Sequence, residues 1–361
     1  MKTKIEPYLI LGLLILLGGL EQGVCAESPR GETPKYIDGL NRPEDLLNIP
    51  QTPWIIASGM GRPGSIYSIH AQNKFWKKLS IGFSKSNAVT NQLYKDCPAP
   101  LDVEQFSPHG INMRFDKDQG TLYVVNHGRG ETIEIFSMTI DLQGPAITWI
   151  GCIIVPEKNS PNSITPLPDG GLAITSIRDP SDKESKKKHL NGEKTGKILE
   201  WHFNEGWKIF PGSELSGNNG IEISPDGRWY YIAEWSGRAL SRLSRNQNSP
   251  QKETVNLNFM PDNIRWSDDG YLIIAGHGPT AAEYFNCRKE SIPCSLDSTI
   301  VEVDPKTLEV RTLREMPGDE KFGTASVAIK VGNEVFVSSF RKSRISYFDI
   351  DANQALHRTS R

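Results

Sequence analysis

A hairpin pattern of apolar and polar positions returns along the chain, each time around a glycine turn. Asn219, for example, begins a strand-like run that leads into a Pro-Asp-Gly turn, and a second run follows the turn. An amide or acid stands eight residues before the turn glycine in three places: Asn162 before Gly170, Asn219 before Gly227 and Asp262 before Gly270. Because equal offsets indicate equal positions in a repeated unit, the pattern predicts antiparallel hairpins whose first strands start at a polar residue.

Hairpins of this design occur six times, and their number indicates the fold class. Their second strands begin at Trp54, Thr121, Leu172, Trp229, Tyr271 and Val335. Successive turns lie about 40 to 65 residues apart, a spacing that suits four-stranded blades with variable outer loops. A β-sandwich is the alternative, but it does not account for the regular return of polar first residues. The sequence therefore predicts an all-β protein, a six-bladed β-propeller.

The first residues have the pattern of a secretory signal. Two lysines precede an apolar run over residues 8–20. Val24-Cys25-Ala26 then resembles the small-residue cleavage site of a signal peptide. This pattern predicts a signal peptide over residues 1–26, cleaved near Ala26, followed by one propeller domain over residues 27–361. The apolar run is shorter than the ~20 residues that span a bilayer, so an uncleaved anchor is the weaker alternative and no stable span is expected in the mature chain. We expect an exported protein, periplasmic or secreted.

The charge of the chain gives no reason to expect nucleic acid or another polyanion as a partner. The formal net charge is −2 over 361 residues. The densest basic run, Lys186-Lys187-Lys188-His189, lies among Ser, Glu, Asn and Gly, a composition that favours a solvated loop over a recognition patch. The sequence does not indicate an oligomeric state.

Four cysteines remain once the predicted signal is removed: Cys97, Cys152, Cys287 and Cys294. An even number in an exported chain permits disulfides. Spacing alone does not fix their connectivity, but pairing Cys287 with Cys294 would close a short loop and leave Cys97 for Cys152. No Cys-x-x-Cys motif or zinc-ligand spacing is present, so we expect a structural role for these residues.

The polar residues at the starts of the first strands are candidate metal ligands. If the hairpins surround an axis, these residues converge on it and form a ring of oxygen atoms. Carboxylate and amide oxygens are ligands that calcium prefers, and two negative charges neutralise one ion. The ring would comprise Glu44, Asn162, Asn219, Asp262 and Asn263. The sequence therefore predicts a calcium ion in the central tunnel.

Two histidines of the second hairpin lie at the same end of the predicted ring. His109 begins a first strand, and His127 ends the neighbouring strand. A base beside a metal-polarised carbonyl is a hydrolase arrangement. The alternative is a pair of structural histidines bonded to the backbone at the propeller mouth. His277, which ends another second strand, is a weaker third candidate.

At these residues the chain resembles the paraoxonases, within the broader superfamily of senescence marker protein, gluconolactonase and strictosidine synthase. The resemblance runs in order from about residue 38 to residue 350. It is carried by Pro43-Glu-Asp-Leu46, Pro108-His-Gly-Ile111, Val124-Val-Asn-His127, Pro161-Asn-Ser163, Asn219-Gly-Ile-Glu-Ile-Ser-Pro-Asp-Gly227, Asp262-Asn-Ile264 and Gly276-His277. It implies a six-bladed propeller with two calcium ions in the tunnel and activity as a lactonase or arylesterase.

The resemblance also implies roles for particular residues. The five-residue ring would hold a catalytic calcium ion, Asp45 and the Ile111 carbonyl would hold a second, structural ion, and His109 with His127 would activate water. Three departures are visible. Ser163 stands where the family has an acidic ligand of the structural ion, the cysteines that tie the chain ends together are missing, and a Lys-rich segment over about residues 180–197 replaces the lid.

The function that the sequence favours is calcium-dependent hydrolysis of a lactone or aryl ester. In this hypothesis calcium polarises the carbonyl of a small-molecule substrate while His109, assisted by His127, deprotonates the attacking water. A calcium-stabilised propeller that binds a sugar or protein ligand without turnover is the first alternative. A condensing enzyme similar to strictosidine synthase is the second, and it is disfavoured because that reaction depends on a catalytic acid.

Overall fold

The computed structural model of the chain describes Met1 and residues 33–83, 92–116, 119–246, 250–278, 280–287 and 294–350. Within these ranges the chain forms six antiparallel sheets whose innermost strands neighbour one another in a closed ring. The six-bladed propeller predicted from the hairpin pattern is thus confirmed. The predicted signal peptide, apart from Met1, lies outside the described residues.

The first three blades follow one another along the chain, each starting at the tunnel. Blade 1 contains β2 (Pro43–Asn48), β3 (Trp54–Gly59), β4 (Ser65–His70) and β5 (Trp76–Lys78). Blade 2 contains β7 (Pro108–Asp116), β8 (Gln119–Asn126), β9 (Thr132–Asp141) and β10 (Gly144–Ile154), with β6 (Ile81–Phe83) added in parallel to β10. Blade 3 contains β11 (Pro161–Pro166), β12 (Leu172–Ser176), β13 (Lys197–His202) and β14 (Gly206–Ile209).

The remaining blades complete the ring. Blade 4 contains β15 (Asn218–Ile223), β16 (Trp229–Glu234), β17 (Ala239–Ser244) and β18 (Lys252–Asn256). Blade 5 contains β19 (Met260–Trp266), β20 (Leu272–His277), β21 (Ser298–Val303) and β22 (Val310–Met316). Blade 6 contains β23 (Val327–Val331), β24 (Glu334–Ser338) and β25 (Arg344–Asp349), and β1 (Lys35–Asp38) is its outer strand.

The ring is closed by the pairing of β1 with β25. The two strands are antiparallel, with Lys35 opposite Tyr347 and Asp38 opposite Arg344. A strand from the beginning of the propeller therefore completes the last blade as its fourth strand. The cysteines that tie the chain ends together in the paraoxonases are missing here, and this strand pairing closes the ring.

Five of the six inner strands share a β-bulge at the same place. The register shifts by one residue in β2, β7, β11, β15 and β19. A β-bulge redirects side chains and increases the local twist. Each bulge is followed at once by a fully buried aliphatic residue: Leu46, Ile111, Ile164, Ile221 and Ile264. Each of these five inner strands thus has a polar residue in the bulge, and the next residue after the bulge is a buried aliphatic one.

The apolar residues fill the spaces between neighbouring blades. One cluster lies at each of the six interfaces, and Ile264, for example, packs with Leu240 and Leu272 between blades 4 and 5. Full burial of an aliphatic side chain contributes about 1.5–3 kcal/mol, so these repeated aliphatic residues hold adjacent blades together. A separate cluster around Trp235, Met260 and Ala281 lies at the end of the tunnel where the bulges are.

The described residues also include two short α-helices and two disulfides, one of which reaches β10 of blade 2. Helix α1 (Ser185–Leu190) follows β12, and α2 (Ala281–Cys287) follows β20. The predicted pairs Cys97–Cys152 and Cys287–Cys294 are both formed. Within the described part of the chain, no helix is long and apolar enough to cross a membrane.

Candidate active site

The bulges bring the predicted ring residues together in the tunnel. Glu44, His109, Asn162, Asn219 and Asp262 occupy equivalent positions in blades 1 to 5, at the register shift of each inner strand. Asn263 follows Asp262 and donates from Nδ2 to Glu44 Oε1 at 2.8 Å. At two of these bulges a glycine allows the backbones of neighbouring blades to approach closely. A Cβ added at Gly110 would lie 2.2 Å from the Asn162 carbonyl oxygen, and one at Gly220 would lie 2.5 Å from the Asp262 carbonyl oxygen.

Several oxygen atoms of this ring are buried without a hydrogen-bond partner in the described structure. They are Glu44 Oε2, Asn162 Oδ1, Asn219 Oδ1 and Asn263 Oδ1. An unsatisfied buried acceptor costs about 1–3 kcal/mol, and four on neighbouring strands indicate a missing partner. With the Asp262 carboxylate they form a hard oxygen donor set of the kind that calcium takes. The residues present therefore fit a calcium ion.

The ring differs from a carboxylate or histidine metal cluster. Within the described ranges, no group of three or more His, Cys, Asp and Glu side chains is arranged to hold a metal. The oxygen ring has two carboxylates and three amides. Burial, followed by the charge of Glu44, raises the pKa of Asp262 well above its ordinary value. Two buried carboxylates in one site are costly in free energy without a compensating cation.

A chain of three side chains leads from the ring to the rim of the tunnel. His109 Nδ1 lies 2.7 Å from His127 Nε2, and His127 Nδ1 lies 2.5 Å from Glu131 Oε2. An ionised carboxylate only accepts hydrogen bonds, so Glu131 accepts from His127 Nδ1 and His127 Nε2 accepts from His109 Nδ1. His109 Nε2 then carries a lone pair, and it lies 3.4 Å from Asn162 Nδ2 and 3.5 Å from Glu44 Oε1.

The electrostatic surroundings of His109 favour its protonated form. Burial alone would lower its pKa, but the carboxylates of Glu44, Asp45 and Glu131 outweigh burial and raise the pKa above the ordinary value. A cation in the neighbouring ring would oppose these carboxylates and lower the pKa again. The proton affinity of His109 is therefore linked to occupation of the ring.

His277 is bonded through both ring nitrogens. Nδ1 donates to the Ala325 carbonyl at 2.8 Å, and Nε2 accepts from Trp235 Nε1 at 3.4 Å. Burial lowers its pKa to about 4. With both nitrogens used and the side chain 1% exposed, His277 lies at the site but is poorly placed to take a proton from water.

A cavity of about 210 Å³ opens above the ring. One wall is aromatic: Trp235, Tyr284, Phe285 and Phe340. Helix α2 supplies two of these rings, and Tyr284 packs edge-on against Trp235 at 5.2 Å. The cavity therefore joins an apolar wall to a polar floor, an arrangement typical of small-molecule sites.

The Lys-rich segment is not simply the solvated loop expected from its composition. Its lysines are exposed, but Ser185–Leu190 is helical, and His189 is buried in the cavity wall. The His189 ring stacks on Trp235 with centroids 5.2 Å apart. A Cβ at position 217 would lie 2.5 Å from His189 Cε1, and Gly217 has φ +74°, so this glycine makes room for the imidazole.

Two residues predicted to hold a second ion have other partners. Asp45 Oδ2 accepts from the Ile111 amide at 2.8 Å and also from the buried guanidinium of Arg265. Arg265 Nη2 donates to the Ile111 carbonyl at 2.7 Å. Both expected ligands of the second ion are thus hydrogen-bonded to Arg265. Ser163 Oγ, buried in the same layer, has no hydrogen-bond partner in the described structure.

Sequence reasoning missed three residues of this region. Glu131 follows His127 by four positions, and an acid at that spacing after a candidate histidine was the available signal. His189 ends a lysine run whose composition favours a solvated loop, and it does not stand at the end of a predicted strand. Arg265 follows the Asp262-Asn263 pair by two positions, but no local pattern predicts a buried guanidinium.

Comparison with curated proteins supports the resemblance. The chain is 25% identical over 322 residues to serum paraoxonase/lactonase 3 of Oryctolagus cuniculus, covering 85% of this chain and 86% of the relative. It is 26% identical over 276 residues to serum paraoxonase/arylesterase 1 of Homo sapiens, covering 74% and 76%. No protein-family model matches the chain. The similarity to paraoxonases over most of the chain is thus confirmed.

A solved structure shares the architecture. A luciferin-regenerating enzyme superposes with a TM-score of 0.53 at 13% sequence identity, over 87% of this chain and 94% of that chain. At this identity the likeness concerns the fold alone, because one fold supports many functions. The fold and the similar sequences together define a paraoxonase-like six-bladed propeller.

Proposed function

We propose that the protein is a calcium-dependent hydrolase of lactones or aryl esters. The observation that carries the proposal is the set of buried, unpartnered oxygens of Glu44, Asn162, Asn219 and Asn263. Beside them lies His109 Nε2, 3.4 Å from Asn162 Nδ2, on a histidine whose Nδ1 is paired with His127. A metal-binding oxygen cluster and a base at one cavity floor are the two parts that metal-assisted hydrolysis requires. The similarity to a lactonase and an arylesterase supports the same reaction class.

In this proposal, the five ring residues Glu44, Asn162, Asn219, Asp262 and Asn263 would hold the ion. When bound, calcium would polarise the substrate carbonyl and balance the charge that develops on its oxygen. The two carboxylates match the charge of one ion, and the amide oxygens gain the partner that they lack. The open cavity above leaves space for water or substrate to complete the ~6 to 8 ligands of calcium.

His109 acts as the general base. Its Nε2 takes a proton from a water molecule in the cavity as the water oxygen attacks the carbonyl carbon. The imidazolium that results is stabilised by the hydrogen bond to His127, which Glu131 orients through Nδ1. His109 then returns the proton to the leaving oxygen as the ester or lactone bond breaks.

The aromatic wall favours a substrate with an apolar or aromatic group next to the ester. Trp235 is held on one face by His189 and along its edge by Tyr284. Rings fixed in this way present a rigid apolar surface at small entropic cost. His277 orients Trp235 through the hydrogen bond to Nε1, which gives this histidine a positioning role.

We also propose that the protein acts outside the cytoplasm. Both disulfides predicted for an exported chain are formed, and such bonds persist in oxidising compartments.

A panel of γ- and δ-lactones and aryl esters, assayed with purified protein and calcium, tests the function. We expect turnover of at least one class, and a fall of ~10² to 10⁴ in that turnover after His109→Gln. If calcium binds but nothing in a broad panel is hydrolysed, the protein is instead a calcium-stabilised propeller that binds a sugar or protein ligand.

A further inference from the structure

Arg265 lies in the tunnel wall, below the oxygen ring, where charged side chains are rarely found. Its side chain is 3% exposed. The residue belongs to β19 and follows the ring residues Asp262 and Asn263 in the same strand. Burial of an arginine at this depth is costly unless its donors are matched with acceptors.

Every donor of the Arg265 guanidinium has an acceptor. Nε donates to the Leu46 carbonyl at 2.9 Å, and Nη1 donates to the Ile264 carbonyl at 2.8 Å and to Glu222 Oε1 at 3.1 Å. Nη2 donates to the Ile111 carbonyl at 2.7 Å and to Asp45 Oδ2. A guanidinium has five N–H groups, so the set is complete.

These acceptors come from four different blades. Asp45 and Leu46 are in blade 1, Ile111 in blade 2 and Glu222 in blade 4, while Ile264 belongs to the strand of Arg265 in blade 5. A single side chain therefore ties together inner strands that lie on different sides of the tunnel. A metal ion with oxygen ligands from several strands would make the same kind of connection.

We infer that Arg265 is the built-in cation of the lower tunnel and that the protein consequently binds one calcium ion, in the ring above. This inference rests on the proposed function for the upper ion and replaces the second ion that the resemblance implies. The two oxygens of Asp45 already accept three hydrogen bonds, from the Leu46 amide, the Ile111 amide and Arg265. The Ile111 carbonyl is likewise bonded to Arg265.

The same geometry explains why an acid is dispensable at position 163. Ser163 contributes a neutral hydroxyl to this layer, where a divalent ion would gain from a third negative charge. The guanidinium carries one positive charge and already faces the two carboxylates of Asp45 and Glu222. The lower tunnel is thus organised around a monovalent, covalently attached cation.

Metal content tests the inference on the intact chain. The full-length protein is equilibrated with excess calcium, passed through a desalting column and analysed by mass spectrometry of the metal, with isothermal titration of the stripped protein as a second count. We expect one calcium ion per chain. Two ions per chain would overturn the role of Arg265, whereas no ion would overturn the upper site and the proposed function with it.

The Asn219→Ala variant locates the ion, since it alters only the upper ring. We expect its calcium content to fall from one to zero. A variant that keeps its ion would show that the metal occupies the lower tunnel, which contradicts the inference. The wild-type count and this variant do not depend on any change at Arg265.

Replacing the guanidinium tests its role as a cation that joins the blades. We expect Arg265→Met to lower the Tm by roughly 5 to 15 °C, the shift expected when one partner of a buried ionic network is removed, even at saturating calcium. Arg228→Met is the matched control, because the Arg228 side chain is 78% exposed, and its Tm should be unchanged. An Arg265→Met protein as stable as the control would overturn the inference, and failure to fold would agree with it.

Discussion

His127 Nδ1 lies 2.5 Å from Glu131 Oε2, and the two residues are four positions apart across the turn between β8 and β9. This contact fixes the direction of the hydrogen bonds that end at His109. Through His127, the proposed base His109 is linked to the carboxylate of Glu131, which is not part of the oxygen ring. We therefore expect removal of this carboxylate to leave the ring intact. The oxygen ring and the histidine pair can therefore be altered separately.

The base should be separable from the metal site. His109→Gln removes the lone pair of Nε2 but no ring oxygen, so we expect lactone hydrolysis to fall by ~10² to 10⁴ while stabilisation by calcium is retained. His127→Gln should cost less, because His127 assists rather than reacts. Steady-state kinetics and thermal melts with and without calcium measure both effects. Activity that survives His109→Gln unaltered would remove this histidine from the mechanism.

Glu131 should act through the tautomer of His127. In Glu131→Gln the side-chain amide can donate as well as accept, so the fixed order of protons along the chain is lost. We expect kcat to fall about ten- to a hundredfold with KM nearly unchanged, and Glu131→Asp to restore part of the loss, as for other groups that orient a catalytic ligand or base.

Nitrogen NMR of labelled histidines distinguishes this role from a structural one. The wild-type spectrum should show His127 protonated at Nδ1 with an unprotonated Nε2, and the Glu131→Gln spectrum should show mixed tautomers. An unchanged His127 tautomer together with reduced activity would mean that Glu131 acts by another route.

Calcium should stabilise the folded chain through the oxygen ring. A ligand present at 100 times its Kd stabilises a protein by about 2.7 kcal/mol, so chelation should lower the Tm and calcium should restore it. Asn219→Ala and Asp262→Ala should lose most of this response. Asn159→Ala is a matched control, because Asn159 is a buried amide bonded to the Pro156 carbonyl outside the ring. An unchanged Tm after exhaustive removal of metal would contradict the site.

Acid should destabilise the protein partly through His189. Burial, with a smaller contribution from Arg178, lowers the pKa of His189 to about 4, whereas an unfolded histidine has a pKa near 6.5. The unfolded chain therefore binds more protons between these values, and stability falls as the pH drops from about 6.5 to about 4. The total effect is about 3 kcal/mol.

The His189→Phe variant isolates this effect, since it keeps a ring against Trp235 but does not titrate. In excess chelator, its free energy of unfolding should fall less than that of the wild type over this pH range. His202→Phe, a change at a half-exposed histidine, is the control. Equal acid sensitivity in wild type and His189→Phe would show that His189 is not protonated on unfolding.

The blade count and most of the ring were predictable because they repeat. Asn162, Asn219 and Asp262 each stand eight residues before the glycine of their turn. In a propeller, equivalent positions of the repeated unit lie in a ring around the tunnel axis. The structure adds the bulge that turns each side chain inward. At Gly110 and Gly220 neighbouring blades approach so closely that a side chain would clash. The sequence pattern alone did not reveal this reason for the two glycines.

The parts that were not predicted depend on contacts between distant segments. His189 becomes a wall of the cavity only because α1 packs on Trp235, a residue of another blade. Arg265 is stabilised by carbonyls of Leu46 and Ile111, which lie more than 150 residues away. Every residue has a backbone carbonyl, so the side-chain pattern does not indicate which carbonyls will accept from an arginine. The buried position of Arg265 could therefore be found only from the folded structure.

The most direct test of the account is a calcium titration of hydrolysis. Protein stripped of metal, and shown by mass spectrometry to be free of it, is assayed on a lactone or aryl ester that the wild type hydrolyses while calcium is added back. The account predicts no hydrolysis in the stripped protein and recovery along a one-site curve whose midpoint matches that of the Tm increase. In His109→Gln the recovered rate should be lower by ~10² to 10⁴. Full hydrolysis by the metal-free wild-type protein would contradict it.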